Sequence, residues 1–220
     1  MTTVLHRSAK KEHLQRDYAI KNKAAKGIDD VSPAAKNKAI ETTRVIAKII
    51  YDHHPVNMGQ ARVGCLCQGR TIGEIMDGLK NLGGLSASIF DNREAVVETL
   101  REIKKGNYGQ SITVAGSIAE IFDICREIGM EPHTAIVPLG IWGKTDLLPR
   151  EGIKELTMMC GHGLISAHYC EHMVTQVEKD EISCDEAAKE LARVCVCGAF
   201  NVTVAGDILR SLAHKEVKNG

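Results

Sequence analysis

From residue 61 to residue 139 the chain repeats one unit, a short apolar run followed by a stretch with helical spacing. The apolar runs are ARVGC (61–65), SASIF (86–90), SITVA (111–115) and HTAIVPL (133–139). Between them lie IGEIMDGLKNL (72–82), NREAVVETLREIKK (92–105) and the segment from Ser117 to Ile128. Strands spaced by helices of this length are too far apart in sequence for tight hairpins, and right-handed crossovers join such strands in parallel. The spacing therefore predicts an α/β fold with a mainly parallel, four-stranded, Rossmann-like sheet. Sheets of that kind take ligands at the carboxyl ends of their strands. Those ends carry Cys65 and Cys67, then Ser117, then the Gly140–Lys144 loop with Trp142. The stretch G69-R-T-I-G73 opens a helix after the first run, so Arg70 stands ready as a bidentate partner for a carboxylate.

Helices are expected on both sides of this unit. Residues 8–26 have helical spacing but are polar on most sides, with Leu14, Tyr18 and Ala25 as the apolar marks. Such a helix is expected to lie on another subunit, because a short polar helix is marginal alone. Ser32-Pro33 is an N-cap followed by proline at the first helical position, and the helix it opens closes at Pro55. After Pro149, Ser166, the Ser183–Glu186 capping box and Asn201 each open a further helix. The chain thus divides into an N-terminal helical arm and helix (1–57), an α/β domain (58–148) and a C-terminal helical, cysteine-rich segment (149–220) that binds metal.

Three short units share one shape. They are CLCQG at 65–69, CGHG at 160–163 and CVCG at 195–198. Residues two apart lie about 200° apart on a helix, so such pairs share a ligand only where the chain extends or turns. All three units sit at expected turns and carry glycine, where amide N–H groups can also face a thiolate. Cysteine often simply fills a core. Cys125 reads that way, on a stripe with Ile118, Ile121, Phe122 and Ile128. Cys184 reads as a thiol without a role, and Cys170 as packing beside Tyr169 or Met173.

Cys160, Cys195 and Cys197, with His162, form the expected metal centre. Three thiolates fit a [4Fe–4S] cluster that leaves one iron open as a Lewis acid, with Cys65 or Cys67 in reserve. The same residues make a Cys3His zinc tetrahedron, although the Cys-x2–4-Cys spacing of structural zinc sites is absent. The sequence thus leads to an iron–sulfur metalloenzyme, with zinc as the alternative cofactor in a binding or assembly protein without catalysis. In the enzyme reading Cys65, Cys67 and His162 act on a small polar or anionic substrate held by Arg70, Ser117, Trp142 and Lys144. H168-Y-C-E171-H172 also fits the short His-x-x-Glu-His pattern of zinc hydrolases, and Asp52-His53-His54 sits at a helix end.

Composition narrows the partners. Lys+Arg and Asp+Glu both number 28, a balance unlike the basic surplus of duplex-binding domains, and aromatics are 4%. Nucleic acid is therefore not expected. No 18-residue apolar stretch offers a membrane span. Eight cysteines without an apolar leader point to a reducing, cytoplasmic setting and a small-molecule substrate. A homo-oligomer is expected through the N-terminal helix.

Overall fold

The computed structural model describes residues 2–6, 9–24, 32–80, 84–85 and 87–216. Among these, seven strands form one sheet: β1 (Thr2–His6), β2 (Tyr18–Lys23), β3 (Asn57–Gln60), β4 (Gly64–Cys65), β5 (Ala87–Phe90), β6 (Ser111–Gly116) and β7 (Pro132–Ile136). Their order is β4-β3-β5-β2-β6-β1-β7. Five consecutive strands, β4 to β6 in that order, pair antiparallel throughout. Parallel pairing is confined to β1, which lies between β6 and β7.

This overturns the parallel four-stranded Rossmann-like sheet. The four apolar runs do supply strands, although Ser86 of the second run lies outside the described residues. They are not neighbours joined by crossovers. β2, from the segment read as a polar helix, inserts antiparallel between β5 and β6, with Tyr18↔Phe90 and Ile20↔Val114 in register. Tyr18, Ile20 and Asn22 are buried and Lys21 and Lys23 exposed, which is strand periodicity over its second half, while Ala19 is buried on the opposite face with Ile89 and Ala115. Asn22 is tolerated inside because its amide donates to Gln110 Oε1 at 3.0 Å. Only one helical turn, α1 (Lys11–Leu14), remains of the expected arm. The oligomer surface assigned to that arm is thus the middle of the sheet.

The helices follow their caps more closely. α2 (Pro33–Asp52) starts where Ser32 Oγ accepts the Ala35 amide, and α4 (Arg93–Gly106) where Asn92 accepts from Ala95. With α3 (Ile72–Gly78) and α5 (Ile118–Glu127) they cover a core of Ile46, Ile50, Phe90, Leu100, Val114 and Ile121. Cys125 is buried in that core. A second core lies among α6 (Ile153–Met159), α7 (Ala167–Glu178), α8 (Cys184–Val194) and α9 (Val202–Glu216). It contains Cys160, Cys170, Cys195 and Cys197.

Polar contacts fasten this helical module to the sheet. Asn201 caps α9 through the Val204 amide and donates from its own amide to Arg16 O and Asp17 Oδ1. Asn57 of β3 donates to Phe200 O at 3.3 Å, and Gln68 donates to Arg193 O at 2.7 Å. His13 Nδ1 meets the buried Glu155 carboxylate at 2.6 Å. The other end of the sheet is bare: along β7 and the segment after it, Leu139 is 89% and Trp142 82% exposed. Among the described residues no helix is long and apolar enough to cross a membrane.

Candidate metal centre

Two tight turns bring three thiols together. α8 ends at Cys195, and the chain reverses over four residues, with the Gly198 amide donating to Cys195 O and Gly198 at φ +78°. This turn puts the sulfurs of Cys195 and Cys197 3.8 Å apart. α6 ends at Cys160 in the same manner, closed by the Gly163 amide on Cys160 O with Gly163 at φ +67°. Both glycines occupy the left-handed region that a side chain disfavours. Cys160, Cys195 and Cys197 are 2%, 0% and 3% exposed, whereas His162 stands exposed at the mouth of the cluster.

The protonation pattern follows from the contacts. The Cys195 thiol lies within hydrogen-bond reach of both neighbours and can give its one proton to either, which pulls Cys160 and Cys197 below the ordinary thiol range against the effect of burial. Amides of His162 and Leu164 face Cys160 sulfur, and the Ala199 amide faces Cys197 sulfur. His162 adds its own electrostatic pull on both, and a side-chain hydrogen bond to Cys197. Cys195, as the shared partner, is pushed up by those same two hydrogen bonds and by burial. Thiolates at Cys160 and Cys197 thus have donors to compensate them, the condition for holding sulfur ligands away from water.

Among the described residues, no group of three or more His, Cys, Asp or Glu side chains is arranged to hold a metal ion. The separation of the paired sulfurs nevertheless fits one kind of ion. With metal–sulfur bonds of about 2.3 Å, the edge of a tetrahedron is about 3.8 Å. Cys195 and Cys197 stand at that distance. Cysteines of a cubane cluster bind different irons and stand well beyond it. That distance is also the length of the hydrogen bond between the two thiols, and three sulfurs with an imidazole at the open side are the side chains here that could serve as donors to one tetrahedral ion.

The CLCQG unit lies directly alongside. Cys65 ends β4, and the 3-10 turn Leu66–Gln68 follows. A Cβ on Gly59 of β3 would lie 2.7 Å from Cys65 Cβ and 3.0 Å from the Cys197 carbonyl carbon, so the two units press on the same residue. Burial pushes the Cys65 thiol up, opposed by the amides of Gln68 and Cys67 and the side chain of Asn57. Burial, then the Cys65 charge, pushes Cys67 up to about 12, with Lys189 opposing. Both read as protonated thiols packed against the centre.

Of the residues expected to hold a substrate, only Arg70 lies here, lining a groove with Arg62, Arg193 and Val196. Ser117 follows β6, four strand spacings or about 19 Å from β4. Trp142 and Lys144 leave from β7, six spacings or about 29 Å away across the sheet, and the Trp142 indole donates to Leu139 O. The ends of the strands do not converge because the antiparallel strands alternate their direction. Glu171 of the His-x-x-Glu-His stretch is clamped by Arg150 through bonds of 3.0 and 2.7 Å, so it is no free base. His53 pairs with Glu102 and Asp52 with Lys48, as helix-end residues do. Asn57, Gly59, Arg62 and Arg193 were not singled out from sequence. Asn57 and Gly59 sit in a strand without an apolar run, and the two arginines lie on separate elements.

Comparison with protein-family models, with curated proteins and with solved structures finds no match for this chain.

Proposed function

We propose that the chain is a metal-stapled binding protein in which Cys160, His162, Cys195 and Cys197 hold one tetrahedral ion of the zinc type. The observation that carries this is the 3.8 Å sulfur pair, held at a helix end and backed by amide donors. Four protein donors leave no open coordination position, the mark of a structural site. A bound ion would neutralise the buried thiolates and tie the end of α6 to the end of α8. The turn after α8 meets the sheet at β3, so the staple would also tie the end of α6 to the place where Gln68, Asn57 and Asn201 dock the helical module.

The iron–sulfur enzyme stands as the second reading, favoured by Cys65, a fourth thiol beside Cys197. Anaerobic purification with metal analysis separates the two. A colourless protein with about one zinc per chain supports the staple. A brown protein with several irons and sulfides per chain contradicts it.

Assembly is the remaining part of the proposal, with a second copy as the partner. Ile136, Val137, Leu139, Ile141, Trp142, Leu147 and Leu148 are all exposed within 13 residues. Together they offer on the order of 900 Å² per chain, one partner's share of a standard interface. Ile136 ends β7 and the others follow it; among the described residues β7 is an edge strand, whose outer side can pair antiparallel with its own copy across a two-fold axis. Light scattering is expected to give a dimer for the parent chain and a monomer for Leu139→Asp/Trp142→Asp. A parent chain that stays monomeric at micromolar concentration contradicts this surface.

A further inference from the structure

Beside the thiol centre a groove of about 650 Å³ opens between β4 and the end of α8. Arg62, Arg70 and Arg193 line it, each from a different element, and no acidic residue does. We propose that this groove binds a small molecule bearing phosphate or carboxylate groups, gripped by the three guanidiniums. The site stands independently of the metal, since none of its arginines is a sulfur or nitrogen ligand.

The groove is built rather than incidental. Gly64 sits at φ +118°, and a Cβ there would fall 2.3 Å from Gln68 Oε1 and 3.2 Å from Arg70 Cγ. The glycine therefore lets the Gln68 and Arg70 side chains lie against the strand, with Arg70 on the wall of the groove. Gln68 is itself fixed at both ends: Oε1 accepts the Cys65 amide at 3.1 Å and Nε2 donates to Arg193 O. That bridge holds the arginine-bearing end of α8 against the arginine-bearing loop of β4.

Three guanidiniums around one opening repel one another unless an anion sits between them. Arg70 and Arg193 are matched only by exposed carboxylates on or next to their own helices, Glu74 and Glu190, each at 3.1 Å. Exposed pairs of that kind contribute little, so both arginines can turn to a ligand without a large loss. Guanidinium presents a planar fork that matches phosphate and carboxylate oxygens two at a time. The volume falls within the range of small-molecule sites. Val196, between the ligands Cys195 and Cys197, forms part of the wall, so an occupant would rest on the metal-bearing turn.

Calorimetry on the folded protein as purified, with pyrophosphate and citrate as probes, tests this. One-to-one saturable binding of either is expected, weakening as salt rises. Pyrophosphate alone would assign phosphate chemistry and citrate alone carboxylate chemistry, and both outcomes support the groove. Arg70→Gln and Arg193→Gln should each weaken binding about tenfold or more. Gly64→Ala should do the same by displacing Arg70. Arg101→Gln, on α4 and paired with Glu98 and Glu127, should leave it unchanged. Absence of saturable binding by the folded parent, equal binding by the arginine variants, or tighter binding of a single-stranded oligonucleotide than of either probe would overturn the proposal.

Discussion

Cys195→Ser protein is expected to retain no metal after purification and to unfold far more readily than the parent, with Cys160→Ser and Cys197→Ser matching it. Cys195 touches both other thiols, and serine there keeps a hydrogen-bond donor but removes one of the three sulfur ligands. Structural zinc can supply 10 kcal/mol or more of folding free energy in small domains, and a site short of one thiolate forfeits roughly half of that, about 5 kcal/mol here. The control is Cys125→Ala. Cys125 is equally buried, in the sheet core and apart from the centre, so its loss should cost about 1–2 kcal/mol of packing and leave metal content unchanged. Metal analysis and urea denaturation of the four variants check this. If all four retain equal metal, the converging turns do not form a shared site.

Gly198→Ala should be nearly as damaging although no ligand is touched. A Cβ at Gly198 would come within 2.5 Å of Gly59 N and 2.7 Å of Met58 C, both backbone atoms of β3. No rotamer relieves a clash with backbone, so the turn must lift off the sheet, carrying Cys197 and the Ala199 amide with it. Positive φ adds a further cost. A loss of about 3 kcal/mol or more is expected, together with much weaker metal retention. Gly163→Ala provides the contrast. That glycine has φ +67° but nothing within 4 Å of its Cβ position, so only the conformational cost of about 1 kcal/mol applies and the metal should stay. Equal effects of the two substitutions on stability and metal content would show that contact with β3 is not what sets the turn.

The helical module and its thiols were readable from the sequence because their signals are local. Ser166, Ser183 and Asn201 each accept a bond from an amide of the first helical turn, so the caps locate their helices without knowledge of the fold. Cys160-Gly-His-Gly and Cys195-Val-Cys-Gly carry in their glycines the turns that bring the sulfurs inward. The sheet was readable only in part. Helical spacing between apolar runs does not say which runs are neighbours, and β2 entered between two of them from 60 residues or more upstream. β2 is hard to read because both faces are buried at Tyr18–Ile20 and only Lys21 and Lys23 show the alternation of a strand. β3 reads Asn-Met-Gly-Gln, with Met58 as its one large apolar residue, and its asparagine is buried through hydrogen bonds to Phe200 O and the Met58 amide. The groove arginines come from the turn before β4, the turn after it and the end of α8, parts far apart in sequence that the Gln68 bridge helps to hold together.

X-ray absorption at the metal edge of the protein, purified without oxygen, tests the central claim most directly. The account predicts a single metal shell of three sulfurs at about 2.3 Å and one nitrogen at about 2.0–2.1 Å, with no metal–metal vector. A clear iron–iron vector, or a shell of nitrogen and oxygen without sulfur, would contradict it.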